Sequence, residues 1–184
     1  SNDANDVIKV QDEGTVTIQY NDEHDDDGNP ANPIDTAIWR KSTTGTIQID
    51  STSYTGYNYV ATIMVTDSDL NINDALVETA WVNVTSKNAA GWVNLTLTET
   101  GVDTGIFVGV LHFAETSSNS TTIGMTNDTT LQWVVVTYID KQDATGATKY
   151  LFKNSTWTRY YTGTITLDEV QYFGTGDVAT ITVT

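Results

Sequence analysis

The chain has no cysteine. Disulfide bridges, zinc–thiolate sites and thiol nucleophiles are therefore excluded. Basic residues are scarce, with 8 Lys and Arg against 24 Asp and Glu and a formal net charge of −16. Such a field repels nucleic acid and anionic membrane, and it attracts cations. A high-salt or acidic-surface habitat would account for the charge without any specific ion. Proline is confined to Pro30 and Pro33. Runs of Lys, Leu, Glu and Ala at helical spacing are missing, so no amphipathic helix of about ten residues is expected. No apolar run approaches the ~18 residues of a membrane span, so direct membrane insertion is not expected either.

Catalytic signals are equally thin. His24 and His112 are the only histidines, one in an acidic loop and one in a strand pattern. No serine sits in a nucleophile elbow. Gly174-Thr175-Gly176 precedes a strand pattern, where a phosphate cradle would precede a helix. Carboxylates abound, but nothing selects a pair for glycoside hydrolysis. An enzyme is not expected.

What the chain does contain is β pattern. Thr is abundant, and Val, Ile, Tyr and Trp are well represented, which suits pleated, half-buried strands. Alternation runs through Val16-Ile18-Tyr20, Val60-Ile63-Val65, Val82-Val84, Val93-Leu95-Leu97 and Val134-Val136-Tyr138, and Ile106, Val108, Val110 and His112 oppose Phe107, Gly109, Leu111 and Phe113. Most of the intervening residues are Thr or Asn, giving each strand a wet face. Turns fall at Asp25–Pro30, Asp67–Asn71 and Glu99–Gly105, at the spacing of a β-sandwich.

The C-terminal third repeats the N-terminal third without a gap, at an offset of 118 residues. Residues 16–66 match residues 134–184 at 19 of 51 positions. Tyr20 pairs with Tyr138, Asp22 with Asp140, Gly28 with Gly146 and Trp39 with Trp157. Thr44–Ile47 matches Thr162–Ile165, and Val60–Ile63 matches Val178–Ile181. A period of about one sandwich domain indicates a modular architecture. The fold expected is all-β, built from immunoglobulin-like β-sandwich repeats, one complete and partial copies at both ends. Residues 1–43 read as the C-terminal strands of one repeat, 44–161 as a complete sandwich, and 162–184 as the N-terminal strands of a further repeat. The ends could pair within one chain, or between chains head to tail. Neither end matches the middle segment from Asp67 to about Thr121. A chain that opens at Ser1 without Met or a signal peptide reads as a processed product or an excised segment.

Two motifs carry a resemblance. Val65-Thr66-Asp67-Ser68-Asp69-Leu70-Asn71, followed by Leu97-Thr98-Glu99-Thr100-Gly101-Val102-Asp103-Thr104-Gly105-Ile106-Phe107, resembles the immunoglobulin-like repeat of archaeal and some bacterial S-layer and S-layer-like surface proteins. The resemblance covers the central segment, and the flanking pieces fit it in circular order. It implies secretion to the cell surface, a structural role, self-assembly and calcium dependence. Those proteins are long arrays. The shorter length here moves the expectation from a lattice towards a filament subunit or an excised fragment. The alternative is a carbohydrate-binding or adhesive module that takes cell-surface glycans.

Candidate calcium ligands form two groups. Asp67, Asp69, Asn71 and Asn73 place oxygens at alternate positions, and Glu78 falls at position twelve. That suits Ca2+, which takes six to eight hard oxygens. Ile72 stands where an EF-hand needs Gly, and the flanks read as strands, so a β-loop site is expected, with Glu99 or Asp103 contributing. An Asx-rich turn capping its own backbone explains the same residues without an ion. The second group is Asp22, Glu23, Asp25, Asp26 and Asp27, of which the repeat keeps only Asp140 and Asp143. Asn83, Asn94, Asn119, Asn127 and Asn154 each open an Asn-x-Ser/Thr sequon, a plausible glycan acceptor on a surface protein. Trp39 and Trp157 read as core by their equivalence. Trp92, beside a turn, is the candidate glycan platform.

Overall fold

The structure, a computed structural model, describes residues 8–87, 92–117, 120–126 and 131–184. The protein is all-β. In chain order the strands are β1 Gly14–Gln19, β2 Ile34–Trp39, β3 Thr46–Ile49, β4 Ser53–Thr55, β5 Val60–Thr66, β6 Thr79–Ser86, β7 Val93–Glu99, β8 Ile106–Ala114, β9 Thr122–Gly124, β10 Gln132–Asp140, β11 Lys149–Thr158, β12 Ile165–Leu167 and β13 Ile181–Val183. A 3-10 turn, Ser68–Leu70, interrupts them. Among the described residues no helix is long and apolar enough to cross a membrane.

Strands β3 to β11 form one nine-stranded sheet in the order β3-β5-β8-β7-β6-β10-β11-β4, with β9 added to β8. It is antiparallel except at its two shortest members. β4 runs parallel to β11, and β9 runs parallel to β8. β7 and β8 share only the pairs Thr98↔Val108 and Glu99↔Phe107, so the ladder opens there and the sheet curls over itself. Period-two alternation then gives each strand one apolar face turned inward. Ile63, Val65, Phe107 and Leu111 come from one side, and Val82, Val84, Val134 and Val136 from the other, all essentially without exposure. Among the described residues, every buried apolar side chain lies between Ile47 and Trp157.

Val60 departs from its sequence pattern. It is exposed, and Ala61 takes the inward place beside Ile63 and Val65. The three-residue step from Val60 to Ile63 breaks the pleat period, and the strand resolves it in favour of Ala61.

Trp157 is fully buried at the end of β11. Its indole N–H donates to the Gly56 carbonyl at 3.0 Å, and its ring lies 5.1 Å from that of Tyr57. Gly56 has φ +73°, and its N–H donates to the Thr158 carbonyl at 2.7 Å. Glycine suits this corner because L-residues disfavour positive φ. The corner also binds β4 to β11, tying the start of the central sheet to its end.

The remaining strands form two separate hairpins, β1–β2 and β12–β13. No residue in either pair of strands is buried.

Candidate functional site

The two motif loops lock together at one end of the central sheet. The Asp67 N–H donates to the Gly105 carbonyl at 2.8 Å. The Asn71 side-chain amide donates to Asp103 Oδ1 at 2.7 Å. Gly105 has φ +59°, and a Cβ there would stand 3.1 Å from the Asp67 carbonyl oxygen. Glycine at 105 therefore serves both the turn and the close approach.

Glu99 staples its own loop. Its Oε1 accepts the N–H groups of Thr104 (2.9 Å) and Gly105 (2.8 Å) and the Thr104 hydroxyl (3.1 Å), and Oε2 accepts the Glu78 N–H at 3.2 Å. Burial alone would raise the carboxyl, but these donors outweigh it and hold the pKa at about 2.

Each expected calcium ligand of this loop has a protein partner. Asp67 is buried: Oδ2 accepts the Tyr138 hydroxyl at 2.5 Å, and Oδ1 accepts the Asp69 N–H at 3.0 Å, capping the 3-10 turn. Burial raises the Asp67 carboxyl above its ordinary value, against the lowering effect of those two bonds. Burial, then the bond to Asp67, raises the Tyr138 hydroxyl. The Asp69 carboxylate accepts the Thr43 N–H at 3.0 Å and its hydroxyl at 3.2 Å. Asn73 Oδ1 accepts the Ala75 N–H at 3.0 Å. Glu78 Oε1 accepts the N–H groups of Ile72 and Asn73 at 2.9 and 2.6 Å. Two oxygens remain: Asn71 Oδ1 and Glu78 Oε2 are buried and accept no hydrogen bond. No group of three or more carboxylates or histidines converges among the described residues.

The loop also holds the front of the chain. Arg40 Nη1 donates to the Asn71 carbonyl at 3.0 Å, and the Lys41 N–H donates to Asp12 at 2.8 Å. A cleft of about 700 Å3 opens beside this joint, lined by residues including Asp12, Ile38, Arg40, Asp69 and Asp103.

The second acidic group folds as a turn. Asp25 Oδ1 accepts the N–H groups of Asp27 (3.0 Å) and Asn29 (2.9 Å), Asp22 Oδ1 accepts the His24 N–H at 3.2 Å, and Gly28 has φ +80°. Asp27 caps nothing described. In the repeat, Asp143 Oδ1 takes the N–H groups of Thr145 and Ala147 and the Thr145 hydroxyl, and Gly146 has φ +82°. The side-chain bond from Thr145 leads the effects that lower the Asp143 carboxyl. Asp140, the equivalent of Asp22, is buried and accepts the Gly45 N–H at 2.9 Å. Tyr138, Asp140 and Thr43 are site residues that the motif spacing does not reveal. The repeat marks two of them, since Tyr20–Tyr138 and Asp22–Asp140 are both kept.

Of the sequons, Asn83, Asn94 and Asn154 are described and lie on the wet side of their strands, while Asn119 and Asn127 lie outside the described residues. Asn83 pairs directly with Asn94 across β6 and β7, and its amide donates to Asn94 Oδ1 at 2.5 Å. Trp81, Tyr150 and Phe152 stand exposed on this same wet side, and Trp92, just ahead of β7, is exposed as well.

The end hairpins copy the central ones pair for pair. β1–β2 joins Gly14↔Trp39 through Gln19↔Ile34, and β10–β11 joins Gln132↔Trp157 through Thr137↔Phe152, each position shifted by 118. β12–β13 joins Ile165↔Val183 and Leu167↔Ile181, as β3–β5 joins Ile47↔Val65 and Ile49↔Ile63. Details repeat as well. The Thr180 N–H donates to Asp168 Oδ1, as the Thr62 N–H donates to Asp50 Oδ1. The Tyr172 and Tyr54 hydroxyls each donate to the same aspartate of their copy. What differs is burial. Ile18, Tyr20, Trp39, Ile165, Ile181 and Val183 are 43–73% exposed, whereas Val136, Tyr138, Trp157, Ile47, Ile63 and Val65 are 0–5% exposed. Trp39 is thus not in a core, contrary to its expected role, because among the described residues no counterpart of the strands that cover Trp157 packs on it.

No protein-family model matches the chain, and no curated protein matches it.

Proposed function

We propose that the protein is a structural, self-assembling subunit of an extracellular layer or filament. Copies join head to tail through the end hairpins, and calcium stiffens the motif loops. The observation that carries this reading is the pair of hairpins whose apolar faces match buried core positions of the central sheet, yet lie bare. Exposed apolar strand faces and open edges are association surfaces. A heterologous contact that does not close propagates as a filament. The central segment acts as one immunoglobulin-like repeat, of the kind found in the S-layer proteins its two motifs resemble.

The calcium reading centres on Asn71 and Glu78, whose buried oxygens accept nothing, with Asp103 beside Asn71. Buried polar atoms without partners are costly, and an amide or carboxylate oxygen of this kind is a ligand that a hard cation takes. Asp67 and Asp69 then act as loop staples, bound to Tyr138 and Thr43.

The alternative, an adhesive or carbohydrate-binding module, is favoured by Trp81, Tyr150 and Phe152 exposed on one side of the sheet and by the exposed Trp92 beside β7. Flat aromatic rings on a rigid sheet suit sugar faces. The neighbouring sequons Asn83, Asn94 and Asn154 suit a glycosylated cell-surface protein as well.

Electron microscopy of the purified chain, in millimolar calcium and in chelator, tests the proposal. Filaments or sheets that vanish in chelator are the expected result. Filaments in both conditions would remove calcium and keep assembly. Isolated particles in both would overturn assembly and leave the adhesive reading in front.

A further inference from the structure

The geometry points to a defined register for the joint between copies: residues 38–40 of one copy pair in parallel with residues 171–173 of a second. The Trp39 indole N–H of the first then donates to the Gly174 carbonyl of the second. This rests on the assembly reading above and specifies its contact.

The template is inside the chain. β11 and β4 pair in parallel as Thr156↔Ser53, Trp157↔Tyr54 and Thr158↔Thr55, and Trp157 Nε1 reaches the Gly56 carbonyl. Shifted by 118, the same relations become Ile38 with Gln171, Trp39 with Tyr172, Arg40 with Phe173, and Trp39 with Gly174. Both halves of the joint already hold the required form. β2 keeps the register of β11 against its hairpin partner. Gly174 has φ +78°, close to the +73° of Gly56, and nothing stands within 4 Å of where its Cβ would be. Tyr172 is tied to Asp168, as Tyr54 is to Asp50. Trp39 and Phe173 are exposed, and so are Ile165, Ile181 and Val183, whose equivalents form one wall of the central core.

The partner is a second copy because the two hairpins leave the central sheet at opposite ends. The front hairpin enters at Gly45, whose N–H is held by Asp140, and Asp140 pairs with Lys149 at the start of β11. Its linker is fixed there through Arg40 on Asn71 and Thr43 on Asp69. The tail hairpin departs after Thr158, at the far end of a ten-residue strand. At about 3.3 Å per residue these exits lie roughly 30 Å apart. The joint is therefore hairpin on hairpin, β1–β2 of one copy against β12–β13 of the next.

Engineered cysteines test the register in a chain that has none of its own. Thr55 and Thr158 bring their hydroxyls to 3.2 Å, so the equivalent pair, Arg40 and Phe173, suits a disulfide. R40C and F173C chains, mixed and mildly oxidised, are expected to give a disulfide-linked heterodimer. I34C mixed with F173C, at the far end of β2, is expected to give none. The double variant R40C/F173C is expected to give a ladder of linked polymers. All three positions lie outside the central core, so the core folds in each variant; R40C gives up the Arg40–Asn71 bond but keeps Thr43 on Asp69, and sedimentation of each mixture gives an independent measure of association. Association without the R40C–F173C link, or with an equal I34C–F173C link, overturns the register and leaves assembly standing. No association and no link overturns both. A double variant that closes only on itself, as a monomer at every concentration, overturns the second copy as partner.

Discussion

At the residue scale, Glu99 shows why a sequence motif can look like a ligand set and act as a staple. A carboxylate in Glu-Thr-Gly-x-Asp-Thr-Gly has three donors from its own loop and one from Glu78, so its charge is already matched. The consequence is acid sensitivity of a definite sign. The carboxyl is lowered from 4.5 to about 2, so its contribution to stability is complete above the unfolded value and is lost as the pH falls from about 4.5 towards 2. E99Q should melt earlier than the parent at pH 7. The gap should narrow across that window and close near pH 2, followed by circular dichroism. A gap that is constant with pH would remove the charge from the account. Asp67 works with the opposite sign, because burial raises its carboxyl and its folded form keeps the proton longer as the pH rises.

At the element scale, the long strands were legible because their alternation spans six or more residues and one face is fully buried. β4 and β9 were not legible. Each has three residues, too few to display a period, and each is fixed by parallel pairing to a distant strand. The motif loop was legible as acidic and oxygen-rich, but not in its aim. Asp67 turns inward because Tyr138, 71 residues away, supplies a hydroxyl, and local spacing carries no trace of that. The repeat was fully legible, and its use is an element-level matter. Isolated two-stranded hairpins are marginal in water. Amides of β12 and β13 should therefore exchange orders of magnitude faster than those of β6 and β7 in dilute solution. Under the assembly reading their protection rises with protein concentration, while that of β6 and β7 does not change. Hydrogen exchange at two concentrations measures both. Protection of β12 and β13 that is independent of concentration would mean the hairpins are covered within one chain.

At the scale of the whole molecule, the net charge opposes the association that the hairpins favour. Each copy carries −16, and the segments meant to meet are both acidic. Asp22, Glu23, Asp25, Asp26 and Asp27 lie on the front hairpin loop, and Asp168, Glu169 and Asp177 on the tail, which has no Lys or Arg. At about 0.01 M ionic strength the screening length is near 30 Å, so these charges act across the whole joint; at about 0.15 M it is near 8 Å, and only close pairs survive. Apolar burial is insensitive to that change. The concentration at which copies assemble should therefore fall as sodium chloride rises from roughly 10 to 150 mM. Millimolar calcium, compared at equal ionic strength, should lower it further if Asn71 and Glu78 hold the ion. Static light scattering along both series separates the effects. Equal curves for calcium and sodium would reduce calcium to general screening, and assembly that weakens with salt would put the attraction on Arg40 and Lys41 against the tail carboxylates instead of on apolar burial.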